Sequence, residues 1–251
     1  MTFADHFSTI AAKYAAYRPI YPLALVDLLA REAPGDAAWD VGCGNGQLST
    51  LLAERFAHVD ATDPAQAQLD AATPHPRVAY RRAPAEASGL PADSVDLAVA
   101  AQAAHWFDWP RFLAEVERVT RRGALVALVS YGKLVLEGAD EVNDEVNDEI
   151  MRYYRDDAGP YWPPGRVHVE NGYRDLHLPW PAVEAPPLDM VARWTREEVL
   201  GYVSTWSATA KLVETVGPAR FDALSRRLAE LWPGDEPRLV RWPLTVKLAR
   251  R

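Results

Sequence analysis

Three glycines at alternating positions follow a short apolar run, and the residues around them indicate which ligand they could hold. Gly42, Gly44 and Gly46 connect that strand-like run to an amphipathic helical one. A tight turn then leads into a helix N-terminus, where backbone N–H groups bind nucleotide-like ligands. A dinucleotide fingerprint would place its third glycine at position 47, where this chain has Gln47. Asp40, just before the loop, disfavours a pyrophosphate and favours an ammonium group. The loop therefore favours a ligand with an amino-acid end and a nucleoside end.

An acidic residue at the end of the next predicted strand agrees with this interpretation. Asp63 lies beside the first strand–helix loop, where a carboxylate can bind both ribose hydroxyls. The alternative is that Asp63 caps a helix that begins at Pro64. Both roles use the same oxygens, so we expect them to exclude one another when a ligand is bound. The ligand that has both ends is S-adenosyl-L-methionine, which the sequence predicts as the cofactor.

Two further segments with polar or aromatic side chains follow predicted strands. Ala85 and Glu86 could offer a backbone N–H to adenine and a carboxylate to its amino group; the alternative is a solvated surface glutamate. Gln102, His105 and Trp106 abruptly replace an apolar run at the end of the fourth strand. Packing does not require these residue types there, so we favour a role in the site over a structural histidine.

The N-terminal segment supplies one more candidate set. Tyr14 and Arg18 share one helical face, and Tyr21 follows between Pro19 and Pro22, which bend the chain towards the first helix. The functional hypothesis is that this arm closes over the methionine end of the cofactor. Arg18 or a tyrosine hydroxyl would then bind the cofactor carboxylate. The alternative is an arm that packs on the edge of the sheet.

The elements that must position these residues alternate between strand and helix. The strands are apolar without polar alternation, which is typical of a parallel sheet covered on both faces, with ligands at the carboxyl ends of its strands. The predicted fold class is therefore α/β, a Rossmann-like, doubly wound sheet. We predict strands over 37–41, 58–62, 78–82, 95–100 and 124–130. We predict helices over 22–33, 47–56, 65–72 and 110–121, the last N-capped by Asp108 and ended by Gly123.

The character of the chain changes after residue 131. An acid-rich helical segment is followed by one rich in proline, glycine and aromatic residues, which is typical of a lid. Thr195 and Glu198 predict a capping box, and 218–231 a helix. Strands over 188–194 and 241–248 would complete a seven-stranded sheet. The predicted organisation is an N-terminal arm and first helix (1–33), a cofactor-binding core (34–131), a helical or irregular lid (132–187) and a C-terminal part that completes the sheet (188–251).

The composition argues against several classes of protein. The 251 residues carry a net charge of −8 without a dense block of Lys or Arg, so a nucleic-acid partner is not expected. No apolar run approaches the ~20 residues of a membrane span, and no signal peptide is evident. The single cysteine, Cys43, fits a reducing cytoplasm, and the six histidines lack metal-ligand spacing. We expect a cytoplasmic monomer or homodimer with a small-molecule partner, no membrane association and no metal.

With these motifs, the chain resembles the class I S-adenosylmethionine-dependent methyltransferases, and more narrowly the type 11 subset related to trans-aconitate methyltransferase. The resemblance covers roughly residues 3–131 and implies a seven-stranded sheet with an antiparallel last strand. Where the family often has Pro-Gly-Gly before the fifth strand, this chain has Arg121-Arg122-Gly123-Ala124, a structural turn. The shared features are an opening like Tyr14-x-x-x-Arg18-Pro19-x-Tyr21-Pro22, a loop like Asp40-x-Gly42-x-Gly44-x-Gly46, an acid like Asp63, the pair Ala85-Glu86 before Leu90-Pro91, and the string Gln102-Ala-x-His105-Trp106-Phe107.

The implied reaction is an in-line methyl transfer to a small-molecule acceptor, which can be a carboxylate. A carboxylate needs no general base, whereas a phenol or amine would benefit from one, and His105 is the first candidate because imidazole titrates near neutral pH. Aromatic residues after position 130 could build an apolar acceptor pocket that Trp162 caps, and four arginines could bind an acceptor carboxylate, with lid core and surface charge as the alternatives. The aromatic residues are Tyr131, Tyr153, Tyr154, Tyr161, Trp162 and Trp206, and the arginines are Arg152, Arg155, Arg166 and Arg174. The predicted cofactor-binding residues are Tyr14, Arg18, Tyr21, Asp40, Gly42, Cys43, Gly44, Gly46, Asp63, Pro64, Ala85, Glu86, Gln102, His105 and Trp106.

Two other functions remain open at this point. A nicotinamide-dependent oxidoreductase is disfavoured by Gln47 and Asp40. A non-catalytic S-adenosylmethionine-binding protein of the same fold would have the same motifs, because methyl transfer requires no particular catalytic residue.

Overall fold

The structure is a computed structural model that describes residues 17–251. The α-helices are α1 (Leu23–Glu32), α2 (Gln47–Leu52), α3 (Gln66–Asp70), α4 (Trp109–Val119), α5 (Glu141–Arg152), α6 (Arg166–Glu170), α7 (Arg196–Ser204), α8 (Ser207–Val216) and α9 (Ala219–Leu231). The strands are β1 (Ala37–Val41), β2 (His58–Asp63), β3 (Val78–Arg82), β4 (Val95–Ala101), β5 (Thr120–Tyr131), β6 (Val135–Leu136), β7 (Ala182–Val183), β8 (Leu188–Trp194) and β9 (Arg238–Arg250).

The described chain forms two compact units. We call residues 20–132, 167–190 and 243–251 the sheet unit, because they contain the parallel strands. We call residues 17–19, 133–166 and 191–242 the helical unit, because α5, α7, α8 and α9 lie there.

The strands follow the order β3-β2-β1-β4-β5-β9. The first five are parallel, whereas β9 runs antiparallel to β5, from Leu125 opposite Arg250 to Tyr131 opposite Leu244. The α/β class and the antiparallel last strand are thus confirmed. All seven predicted strands are present, and β6 and β7, of two residues each, bring the number within residues 17–251 to nine.

The strands that support the glycine loop are buried on both faces. In β1 and β4 nearly every residue is buried, as their lack of polar alternation predicts. Trp39 of β1 packs in the core with Phe112 and Val116 of α4, and its indole N–H donates to the Thr62 hydroxyl at 2.9 Å. This contact couples the end of β1 to the end of β2, where the candidate residues lie.

The end of α4 differs from the prediction. The helix is N-capped by Asp108, as expected, with Arg111 N–H donating to Asp108 Oδ1 at 3.4 Å. It ends at Val119, and Thr120 already pairs with Val95 of β4. Gly123 lies inside β5 at a φ of 82° and does not end the helix. That prediction is wrong because strand pairing begins directly after the helix.

Local capping in the helical unit follows the sequence. The Thr195 side chain accepts from Glu198 N–H, and Glu198 accepts from Thr195 N–H at 2.8 Å, so the predicted capping box is confirmed. In this unit the short strand β6 pairs antiparallel with Val240 and Arg241 of β9. Among residues 17–251, we find no helix with the length and apolar character needed to cross a membrane.

Candidate functional site

The glycine loop adopts backbone angles that explain its composition. Gly42, Gly44 and Gly46 have φ values of 67°, 56° and 79°, in the left-handed region that L side chains rarely adopt. A Cβ on Gly42 would also lie 2.7 Å from the Cβ of Ala103. The N–H groups of Gly42 and Cys43 both donate to the Thr62 carbonyl oxygen, at 2.8 and 3.0 Å. The loop is thereby fixed against the carboxyl end of β2.

Asp63, the last residue of β2, holds the loop directly. Its Oδ2 accepts from the Gly44 N–H at 2.9 Å, and its Oδ1 accepts from the Ala65 N–H at 2.8 Å, just beyond Pro64. A carboxylate has about four acceptor positions, so each oxygen retains one. The alternative role of Asp63 as a helix cap is wrong, because α3 has Ala65 as its N-cap and no side chain caps it. Ribose binding by Asp63 stays a prediction.

Asp40 is buried, with an exposed fraction of 1%, rather than open at the mouth of the loop. Ser49 Oγ donates to Asp40 Oδ2 at 2.6 Å. Burial raises the pKa of Asp40 to about 7; the bond from Ser49 opposes this shift and the nearby Asp63 adds to it. Asp40 therefore lies within the fold behind the loop, which corrects its predicted place at the mouth of the loop.

Cys43 and Tyr80 complete the surroundings of the loop. Burial, with smaller contributions from Asp40 and Asp63, raises the pKa of the Cys43 thiol far above its ordinary range. This thiol stays neutral and is no nucleophile at physiological pH. Burial likewise raises the pKa of Tyr80 to about 12, and the Tyr80 hydroxyl donates to the Thr73 carbonyl oxygen at 3.0 Å.

The segment after β3 is tied to the segment after β4. Ala85 is buried, and Glu86 Oε1 accepts from the Asp108 N–H at 2.7 Å. Two residues later, Ser88 donates its N–H and its hydroxyl to Glu115 Oε1, at 2.8 and 2.6 Å. Glu86 is thus a structural acceptor between two candidate segments rather than only a solvated surface charge.

Gln102 marks a sharp change of direction at the end of β4. It is a non-glycine residue with a φ of 55°, and its Oε1 accepts from the Tyr131 N–H at 3.1 Å. A non-glycine residue with positive φ is uncommon and is kept where the surroundings enforce it. The bond from Tyr131 fixes the Gln102 side chain, and this turn places His105 and Trp106 in the short helical segment Ala104–Trp106.

His105 has a partner that the sequence did not indicate. Its Nδ1 lies 3.0 Å from the hydroxyl of Tyr173, and the two rings are stacked with centroids 6.2 Å apart. Tyr173 is fully buried with a φ of 56°, and its carbonyl oxygen accepts from Lys247 Nζ at 3.0 Å. Trp106 lies beside His105, with ring centroids 4.9 Å apart, and is 63% exposed.

The residues of the N-terminal set lie in different units. Tyr21 is buried in the sheet unit and contacts Tyr131 edge to face, with centroids 6.4 Å apart. Arg18 belongs to the helical unit, where its Nη2 donates to the Thr205 carbonyl oxygen at 3.0 Å and its guanidinium lies 5.6 Å from the ring centroid of Tyr202. Tyr14 lies outside the described residues.

The structure therefore brings most of the predicted residues of the sheet unit to the carboxyl ends of β1, β2 and β4. Sequence reasoning missed Ser49, Tyr80 and Tyr173. The contacts of Tyr80 and Tyr173 join segments that are distant in sequence. Ser49 carried a usable local signal, because it lies nine residues after Asp40 on the following helix. Within residues 17–251 no group of three or more His, Cys, Asp and Glu side chains is arranged to hold a metal ion.

Comparisons with known proteins agree on one family. The family described as a methyltransferase domain matches residues 39–128. A Dictyostelium discoideum protein named as a methyltransferase is 31% identical over 214 residues, covering 84% of this chain and 80% of that protein. A solved structure from Anaeromyxobacter dehalogenans, described as a type II methyltransferase, is 45% identical, with a TM-score of 0.84, and covers 94% of this chain and 98% of that chain. A Saccharomyces cerevisiae protein named as an S-adenosylmethionine-dependent methyltransferase is 29% identical over 131 residues, covering 48% of this chain and 45% of that protein.

Proposed function

Because the chain belongs to the class I S-adenosylmethionine-dependent methyltransferases, we propose that it transfers the methyl group of S-adenosylmethionine to a small-molecule acceptor. The single observation that carries this proposal is the contact between Asp63 and Gly44. It joins a carboxylate to a loop of left-handed glycines at the carboxyl ends of two parallel strands.

The residues around this contact fit the chemistry of the cofactor. Asp63 retains acceptor positions for a ribose diol, and the glycine loop lets the ligand approach the backbone closely. The buried Asp40 favours a cationic ammonium nearby and disfavours a pyrophosphate. When bound, the cofactor would supply a methyl group already activated on a sulfonium.

The other predicted cofactor residues take their roles from their positions. Ala85 and Glu86 would border the adenine, and Gln102 and Trp106 would border the ligand at the end of β4. Cys43 and Pro64 would contribute through the backbone of the segments that they belong to. Tyr21, which lies in the sheet unit, would border the methionine end of the cofactor, whereas the roles of Tyr14 and Arg18 stay predictions from the sequence.

His105 is the residue that we propose as general base for acceptors that must lose a proton. When its Nδ1–H donates to the Tyr173 oxygen, its Nε2 carries the lone pair that accepts a proton. Tyr173 fixes the ring orientation of His105, and its hydroxyl oxygen accepts the proton of Nδ1 in this tautomer. A carboxylate acceptor has no proton to lose, so for this class His105 would only position the acceptor.

Methyl transfer itself tests the proposal. The purified chain is incubated with S-adenosylmethionine that carries an isotopic label on the methyl group. A panel of small carboxylates, phenols and amines is supplied, and products are identified by mass spectrometry. We expect acceptor-dependent formation of S-adenosylhomocysteine and a labelled product. Binding of S-adenosylhomocysteine without transfer to any acceptor would instead identify a non-catalytic cofactor-binding protein.

A further inference from the structure

Two cationic side chains of the helical unit lie against one group of aromatic rings. Lys133 Nζ is 4.4 Å from the ring centroid of Tyr154. The Arg166 guanidinium carbon is 4.5 Å from the ring centroid of Trp162 and 5.8 Å from that of Tyr154. Arg166 Nε also donates to the Tyr154 hydroxyl at 3.1 Å. The Tyr154 ring therefore lies within 5.8 Å of both positive charges.

Neither cation has an acidic partner. Among residues 17–251, no carboxylate oxygen lies within 4.0 Å of Lys133 Nζ or of the Arg166 guanidinium. Other arginines of the same unit are paired, for example Arg152 and Arg220, which both bind Asp157. Lys133 and Arg166 are both partly exposed, so a ligand can reach them from solvent.

The rings behind these cations form a fixed apolar surface. Tyr154 and Trp206 are buried, and Trp162 packs on both, with ring centroids 5.0 and 5.8 Å away. The indole N–H of Trp162 is buried and has no acceptor among the described residues. Among the described residues, an indole N–H without an acceptor therefore belongs to the ring that Arg166 contacts.

We infer that Lys133 and Arg166 bind an anionic oxygen group, a carboxylate or a phosphate, on a small molecule whose flat apolar body packs against the partly exposed Trp162. Arg166 has a planar fork of donors that matches two oxygens of one anionic group, and Lys133 adds a compact second charge. The indole of Trp162 provides the apolar contact area. This inference goes beyond the proposed function, because the anion site is built from the helical unit alone.

Binding of simple aromatic anions tests the site without any methyl transfer. The probes are phenylacetate, phenyl phosphate and the neutral control phenylacetamide, titrated up to millimolar concentrations and followed by ligand-observed NMR and calorimetry. The test variant is Lys133→Met/Arg166→Met. The matched control is Lys211→Met/Arg227→Met, which removes the same charge from two exposed ion pairs, with Glu214 and Glu230.

We expect at least one of the two anions to bind the natural chain and the control variant more tightly than phenylacetamide does. The test variant should bind that anion about tenfold more weakly, as expected for loss of charge-assisted hydrogen bonds. Which anion binds shows whether the site prefers a carboxylate or a phosphate. If the test variant does not fold, Lys133→Gln alone should still weaken binding about threefold. The inference is overturned if neither anion binds the natural chain, or if the Lys133 and Arg166 variants bind as the control does.

The two proposals fail in different ways. Anion binding that depends on Lys133 and Arg166, without any methyl transfer, would contradict the proposed function and leave the anion site standing. Methyl transfer to neutral acceptors without any anion binding would support the proposed function and contradict the anion site.

Discussion

The phenol ring of Tyr80 occupies the space that a side chain on Gly46 would need. A Cβ built on Gly46 would overlap the Tyr80 hydroxyl and lie 2.8 Å from two of its ring carbons. Tyr80 is on β3, and its hydroxyl is held by the Thr73 carbonyl oxygen. The last glycine of the loop is therefore required both by its left-handed backbone and by a residue two strands away.

Gly46→Ala should destabilise the chain more than left-handed backbone strain alone explains. Gly89 provides the matched control, because its φ of 72° is similar and a Cβ there would meet nothing within 4 Å. We expect Gly89→Ala to lower the free energy of unfolding by ~1–2 kcal/mol. Gly46→Ala should lose a further ~1–3 kcal/mol through overlap with Tyr80.

Urea denaturation of both variants measures this difference. Replacing Tyr80 by Ala in the Gly46→Ala background should recover part of the overlap energy, since the strain of the backbone would remain. Equal losses for Gly46→Ala and Gly89→Ala would show that Tyr80 does not restrict the loop.

Asp40 predicts a pH dependence of stability with a definite sign. Burial raises its pKa from 3.8 to about 7 in the folded chain. Between these two pH values, the folded chain holds a proton that the unfolded chain has lost. The contribution of Asp40 to the free energy of unfolding therefore falls as pH rises from about 4 to about 7, and it is constant above that range.

Asp40→Asn removes this titration and keeps an oxygen that can accept from Ser49. We expect the natural chain to lose stability relative to Asp40→Asn as pH rises through this interval, as measured by denaturation of both proteins at several pH values. All other titrating groups are present in both proteins, so their contributions to the pH dependence of stability cancel in the difference. A difference between them that is independent of pH would contradict a raised pKa at Asp40.

His105→Gln should distinguish acceptors by whether they must lose a proton. For a phenol or amine acceptor we expect kcat to fall by about 10²–10⁴-fold, the usual contribution of a general base. For a carboxylate acceptor the change should be much smaller. His177→Gln is the control, because the His177 side chain is exposed and its recorded contact, from the Trp109 indole N–H, is to the backbone oxygen.

Steady-state kinetics across pH with both acceptor classes make the measurement. An equal loss for carboxylates and phenols would contradict the general-base role and leave His105 as a residue that positions the ligand or cofactor.

The sequence predicts those features of the site that residues close together in the chain determine, and it misses those that depend on tertiary contacts. The glycine loop, the Asp108 cap and the Thr195–Glu198 capping box are set by residues within a few positions of one another, and all are present. Seven strands could be predicted because an apolar run is visible in the sequence even when the neighbouring strand is unknown. The end of α4 was misplaced because the pairing of Thr120 with Val95 is a tertiary contact that local helix preference does not contain.

The same reasoning explains the missed residues of the site. Tyr173 lies 68 residues after His105 in the sequence, in a segment without regular periodicity, so only the folded chain brings them together. Asp40 was correctly placed at the end of β1, yet its burial and its bond to Ser49 depend on how α2 packs. The sequence around Lys133 did not indicate an anion site. That its ammonium group has no carboxylate partner is visible only once the described residues are placed in space.

Calorimetric titration with S-adenosylhomocysteine and with NAD tests the central claim most directly, namely that the loop held by Asp63 binds the sulfonium nucleoside. Asp63→Ala is compared with Asp70→Ala, an exposed carboxylate on α3 that accepts only from the Gln66 side chain. We predict saturable binding of S-adenosylhomocysteine to the natural chain and to Asp70→Ala, at least about tenfold weaker binding to Asp63→Ala, and no binding of NAD. Binding of NAD in place of S-adenosylhomocysteine, or binding of S-adenosylhomocysteine that is unchanged in Asp63→Ala, would contradict the account.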